Sequence, residues 1–170
     1  MLIRPYNLYL GNKMLEKPYF NAPWFDGAAA VLRRISDVRL VFNPAEHDRA
    51  NGFEPLNCPN GSAEEAEVAG FNRRETLRAD WSWIAKFSNS MIVGPEWMES
   101  TGAKSEVACH HALGLPVWEY RDFILNWKDP DALQALVVRP LRPVFTVSPV
   151  MPVPGLDDPD DGGFFCDCHG

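Results

Sequence analysis

The chain has no apolar run near the ~18 residues that a membrane-spanning helix needs, although 46% of its residues are hydrophobic. It is also short of positive charge. Its 16 Lys and Arg stand against 23 Asp and Glu, for a net charge of -7. A general nucleic-acid binder presents a basic face, so neither a membrane nor a nucleic-acid polymer is expected as a partner. A small anion stays open, because backbone N–H groups at a helix start hold phosphate even on an acidic protein. The stretch from Met1 to Met14 lacks the long apolar region of a signal peptide, and a cytoplasmic location is expected. Cysteine is scarce, with 4 in 170 residues, which excludes a disulfide-built scaffold. Cys166, Cys168 and His169 cluster near the end, but without the paired spacing of a structural zinc site. Neither metal nor cofactor is expected, and no internal repeat is visible.

The length fits one domain with a sizeable core. Residues 7–10 form a short strand candidate ended by Gly11. Asn21 and Pro23 read as an N-cap and an early helical proline, opening a helix to about Ile35 with Phe25, Ala28, Ala29 and Leu32 on one face. Residues 38–42 form a second strand. From Ala45 to about Asn72 the chain is rich in Asn, Gly, Pro and Glu. The turn signals there predict a long irregular loop, either a flexible wall over a site or an idle surface insertion. Helical spacing returns from Arg73 to Phe87, with Asp80 close to the apolar stripe, where a carboxylate needs a partner or a task. Asp129–Pro130 opens a short last helix. The expected domain covers residues 1–138. Residues 139–170 are proline-rich and acidic and read as an extended or disordered tail.

The segment from Ser90 to Tyr120 organises the rest. An apolar run at residues 90–93, a polar loop, a helical pattern from Gly102 to Leu113 and a second apolar run from Val117 make the unit of a parallel α/β sheet. Ligands of such sheets sit beyond the carboxyl ends of the strands, where this loop delivers Ser100, Gly102 and Glu106. With Ser100 or Thr101 as N-cap, exposed N–H groups and the positive helix end favour an anion. Gly102 permits close approach, and the same dipole predicts an ionised Glu106, as a carboxylate nucleophile requires. A generic helix start explains the spacing equally well, and His110 or His111 is better explained as a solvated or packed side chain than as a catalytic one. The buried strand residues are expected to include Leu8, Leu10, Leu40, Phe42, Ile92 and Val117.

Two motifs give a resemblance. One is Tyr9-Leu10-Gly11-Asn12-Lys13-Met14, followed by Phe20-Asn21-Ala22-Pro23-Trp24-Phe25. The other is Pro95-Glu96-Trp97, then Ser100, Gly102-Ala103 and Glu106, continued by Ala112 to Val117. With Asn43 to Glu46 and Asp80, they resemble the nucleoside 2-deoxyribosyltransferase-like superfamily, in particular its small bacterial and phage branch. The resemblance covers about residues 7 to 120. It implies an α/β, flavodoxin-like three-layer sandwich with a four- or five-stranded parallel sheet. It also implies cleavage or exchange of the base–sugar bond of a nucleoside or nucleotide. Glu106 would be the nucleophile at C1′ and Asp80 would handle the base. Tyr9, Gly11, Asn12, Lys13, Trp97, Ser100, Gly102 and Ala103 would bind substrate. A serine at position 100, where the transferases carry aspartate, favours a 5′-monophosphate. Asn12 and Lys13 depart from the branch, which has glycine and proline there. Lys13 would either supply a charge to phosphate or block the pocket, leaving a non-catalytic nucleotide-binding protein of the same fold. The superfamily forms dimers or larger assemblies, so a homo-oligomer is expected, with Trp81, Trp83 and Phe87 as candidate contacts.

Overall fold

A computed structural model describes residues 4–140. The tail with its Cys-x-Cys-His sequence lies almost wholly outside the described residues. Strands β1 (Tyr6–Gly11), β2 (Val38–Phe42), β3 (Ser90–Val93) and β4 (Val117–Glu119) form one four-stranded sheet in the order β2-β1-β3-β4. Every pairing is parallel. Among the described residues the order is that of the first four strands of a flavodoxin-like sheet.

Period-2 alternation divides the strands between two helical layers. Leu8, Leu10, Ile92 and Trp118 face helices α1 (Ala22–Leu32), α6 (Tyr120–Asn126) and α7 (Pro130–Ala135). Tyr9, Phe42, Met91, Val93 and Val117 face α4 (Arg73–Phe87) and α5 (Thr101–Ala112). β1 and β3 are covered on both sides, which is why they are almost continuously apolar. The order of succession reverses between β1 and β3.

Leu40 departs from expectation: it is 43% exposed. β2 is the edge strand, and the helical cover on its Phe42 face stops short of Leu40. Asn21 also departs. Tyr19, Phe20 and Asn21 are left-handed, with φ of 56°, 50° and 59°, and the Asn21 side chain does not cap α1. Its Nδ2 donates instead to the Lys13 carbonyl at 2.9 Å, tying the loop after β1 to the start of α1.

The expected long loop is largely structured. Asn43 accepts from Ala45 N at 2.9 Å and starts α2 (Pro44–Ala50) with proline at its first position. A short turn at Pro55–Asn57 precedes α3 (Ala63–Val68). Ser62 and Glu65 form a reciprocal capping box at the start of α3. Phe20, Phe53, Cys58 and Ala66 bury one another in a small separate core. The segment is therefore packed by its own apolar residues. A further helix, α6, begins at Tyr120, where a strand end was expected.

Candidate functional site

Three carboxyl groups converge on Tyr9, which β1 presents near its carboxyl end. The Tyr9 hydroxyl donates to Glu106 Oε1 at 3.0 Å in a fully enclosed contact. Glu106 projects from α5 and is 8% exposed; Asp80 from α4 is 4% and Asp48 from α2 is 3% exposed. Tyr9 has one proton to donate, and the short contact gives it to Glu106. Asp80 Oδ1 is buried with no hydrogen-bond partner among the described residues.

Burial outweighs every other influence here. It raises the Glu106 carboxyl to about 7, against a smaller lowering by the Tyr9 hydrogen bond. Burial, followed by the charges of Glu106 and Asp48, lifts Asp80 to about 8, against a smaller lowering by the nearby Tyr9 hydroxyl, whose hydrogen bond goes to Glu106. Burial raises Asp48 to about 7, with slight relief from the charge of Arg49. Tyr9 is pushed far up by burial and then by the neighbouring carboxylates. The dipole-based expectation of a firmly ionised Glu106 is thus corrected. Glu106 lies past the first turn of α5, where the dipole has faded, and desolvation decides.

The other residues named from the sequence fall into two groups. Gly11, at the end of β1, touches the site directly. A Cβ there would stand 3.2 Å from Glu106 Oε2 and run into the end of the Met91 side chain, so a larger residue would crowd the carboxylate. At the start of α5, Ser100 is the N-cap and its Oγ accepts from Ala103 N at 3.2 Å. Gly102 borders open space, a Cβ meeting only Ser100 Oγ at 3.7 Å. Ala103 and Trp97 are buried in the core with Tyr9.

Asn12 and Lys13 are engaged by the facing loop. Asn12 is buried, and its Oδ1 accepts from Glu96 N at 3.1 Å, while its Nδ2 has no partner among the described residues. Gly94 makes room for it, since any side chain at that position would collide with the Asn12 amide and the Trp24 ring. Lys13 Nζ lies 3.2 Å from both Glu99 and Glu16. Lys17 pairs with Glu96. The loop after β1 is therefore bolted to the loop after β3.

His110, one turn beyond Glu106 on α5, is fully buried. Its Nδ1 lies 2.9 Å from the Glu106 carbonyl, and its Nε2 lies 2.9 Å from Ser88 Oγ. Burial pulls its pKa down to about 4, so it is a neutral packed histidine. Among the described residues no group of three or more His, Cys, Asp or Glu side chains has a metal-binding arrangement. No helix among them is long and apolar enough to cross a membrane.

Sequence reasoning missed Asp48, which lies in the segment read as a loop. The spacing from Asn43 and Pro44 was the available signal, because a cap followed by proline starts a helix. Asp48 also lines a cavity of about 370 Å³ between α2 and α4, together with His47, Phe53, Phe71, Thr76 and Ala79. None of the residues named from the sequence belongs to its walls. Comparison of the chain with protein-family models, curated proteins and solved structures finds no match.

Proposed function

We propose that the protein cleaves or exchanges the N-glycosidic bond of a (deoxy)nucleoside 5′-monophosphate, with Glu106 as nucleophile. The observation that carries this reading is the Tyr9–Glu106–Asp80 cluster. One buried carboxyl accepts a tyrosine hydrogen bond at 3.0 Å, while another, without a partner on Oδ1, holds its proton to about pH 8. These environments suit two different roles. Ionised Glu106 attacks C1′. The C1′–N bond breaks, its electron pair leaves with the base, and protonated Asp80 supplies the proton the base needs. The resulting glycosyl ester on Glu106 is then resolved by water or by a second base. Tyr9 positions Glu106 and lowers its pKa toward working pH. The half-buried Ser100 hydroxyl and the start of α5 supply donors for the 5′-phosphate.

The expected homo-oligomer belongs to this reading. Trp81 and Phe87 are 47% and 52% exposed on α4, whereas the Trp83 ring lies tilted against Phe42, with centroids 4.9 Å apart, and packs against the core. Light scattering at twice the chain mass or more is the expected result, and a monomer at all working concentrations would remove the oligomer.

A second reading, a nucleotide-binding protein without turnover, is favoured by one feature. Lys13 is occupied by Glu99 and Glu16, so the loop after β1 supplies no free cation to a substrate. Incubation with a panel of deoxynucleoside monophosphates, followed by chromatography for free base, separates the two. Base release with at least one member is expected. Calorimetric binding with no release would establish the second reading.

A further inference from the structure

Asp48 has no part in the chemistry above, yet it is one of the most buried charged side chains in the molecule, at 3% exposure. No hydrogen bond to its carboxyl group occurs among the described residues, and the only favourable charge acting on it is the adjacent Arg49. A buried carboxyl without a partner is costly, and this one is not walled in by protein on every side. It lines the 370 Å³ cavity between α2 and α4. That volume is in the range of small-molecule sites.

The cavity adjoins the catalytic cluster. Ala79, one of its walls, precedes Asp80 in α4, and the charge of Asp48 is felt by both Asp80 and Tyr9. Its walls carry no Lys or Arg, and burial holds His47 toward its neutral form. An anionic phosphate therefore has no counter-charge there. The lining is better matched to a flat neutral ring. Phe53 and Phe71, with ring centroids 4.8 Å apart, supply apolar wall, and polar groups such as Asp48 and Thr76 supply orientation.

Resting on the N-glycosidase reading, we propose that this cavity seats the base and that Asp48 selects bases bearing an exocyclic amine. A carboxyl oxygen accepts a hydrogen bond from an amine whether the group is ionised or neutral. Adenine, cytosine and guanine carry such an amine, and thymine does not. Facing the ionised Asp48 carboxylate, which only accepts hydrogen bonds, a thymine carbonyl would leave the pocket's acceptor unpaired, the mismatch that gives polar sites their discrimination.

Calorimetry on Glu106→Gln protein, which cannot consume the ligand, tests the proposal with dAMP, dCMP, dGMP and dTMP. At least one amine-bearing nucleotide should bind about 10-fold or more tightly than dTMP, the scale of one charge-assisted hydrogen bond. Asp48→Leu, which removes the carboxyl without opening a void, should erase that preference. Asp48→Asn adds an amide N–H donor that can satisfy a thymine carbonyl, so it should also collapse the preference, and it serves if the leucine variant does not fold. Equal affinities in the Asp48 protein, or a preference that survives Asp48→Leu, would overturn the assignment while leaving N-glycosidase activity intact. If no nucleotide binds the Glu106→Gln protein and wild type releases no base, the underlying reading falls as well.

Discussion

On the N-glycosidase reading, variants of Glu106 and Ser100 separate bond cleavage from phosphate binding. Glu106→Gln keeps the shape but cannot form a glycosyl ester, so base release should vanish while nucleotide affinity stays nearly unchanged. Equal turnover by variant and wild type would remove Glu106 from the mechanism. Ser100→Ala has two separable costs. It removes the cap at Ala103 N, worth about 1 kcal/mol of stability. It also removes a donor to phosphate, which should weaken monophosphates about 10- to 100-fold and leave unphosphorylated nucleosides almost unchanged. Equal losses for both ligand classes would place the phosphate elsewhere. Ser100 and Glu106 were legible in the sequence because cap, glycine and carboxylate fall at set intervals along one helix. The protonation of Glu106 was not legible. It depends on enclosure by β1, α4 and α5, which no local spacing reveals.

The loops after β1 and β3 depend on each other. Asn12 reaches across to Glu96 N, and Gly94 supplies the space that Asn12 and Trp24 fill. Gly94→Ala should therefore destabilise the fold by about 1–3 kcal/mol, the usual cost of overpacking, measured as a shift in denaturant midpoint. An unchanged midpoint would show that the Asn12 contact is dispensable. The strand–loop–helix–strand unit from Ser90 onward was readable from its apolar runs and its breakers. The segment from Ala45 to Asn72 was misread because its Asn, Gly and Pro content signals turns. Its helices α2 and α3 are too short to show a sustained periodic stripe. Ser62 and Glu65 did carry a helix-start signature. Asp48 stayed hidden because its importance comes from facing Tyr9 and Asp80 across the fold.

At the scale of the molecule, three buried carboxyls set an unusual pH dependence. Asp48, Asp80 and Glu106 titrate at about 7, 8 and 7 in the folded protein, and near 4 when unfolded. The folded state therefore binds more protons between these limits, and its stability falls as pH rises from about 5 to 8. His110, lowered to about 4, and His47, also lowered by burial, work in the opposite direction below 6.5, but they are two groups against three. The melting temperature should be higher at pH 5.5 than at pH 8, and Asp80→Asn should flatten the slope. A melting temperature that rises over that interval would show that these groups titrate normally.

The same cluster predicts a bell-shaped rate of base release, with limbs belonging to the coupled carboxyls near pH 7 and 8. The central claim is a covalent bond from Glu106 to C1′, and acid-quenched mass spectrometry during turnover of a deoxynucleoside monophosphate tests it most directly. The prediction is a protein heavier by one deoxyribose 5-phosphate, with the adduct on the peptide containing Glu106 and absent from Glu106→Gln. Base release by wild type with no adduct at any quench time, together with undiminished release by Glu106→Gln, would contradict it.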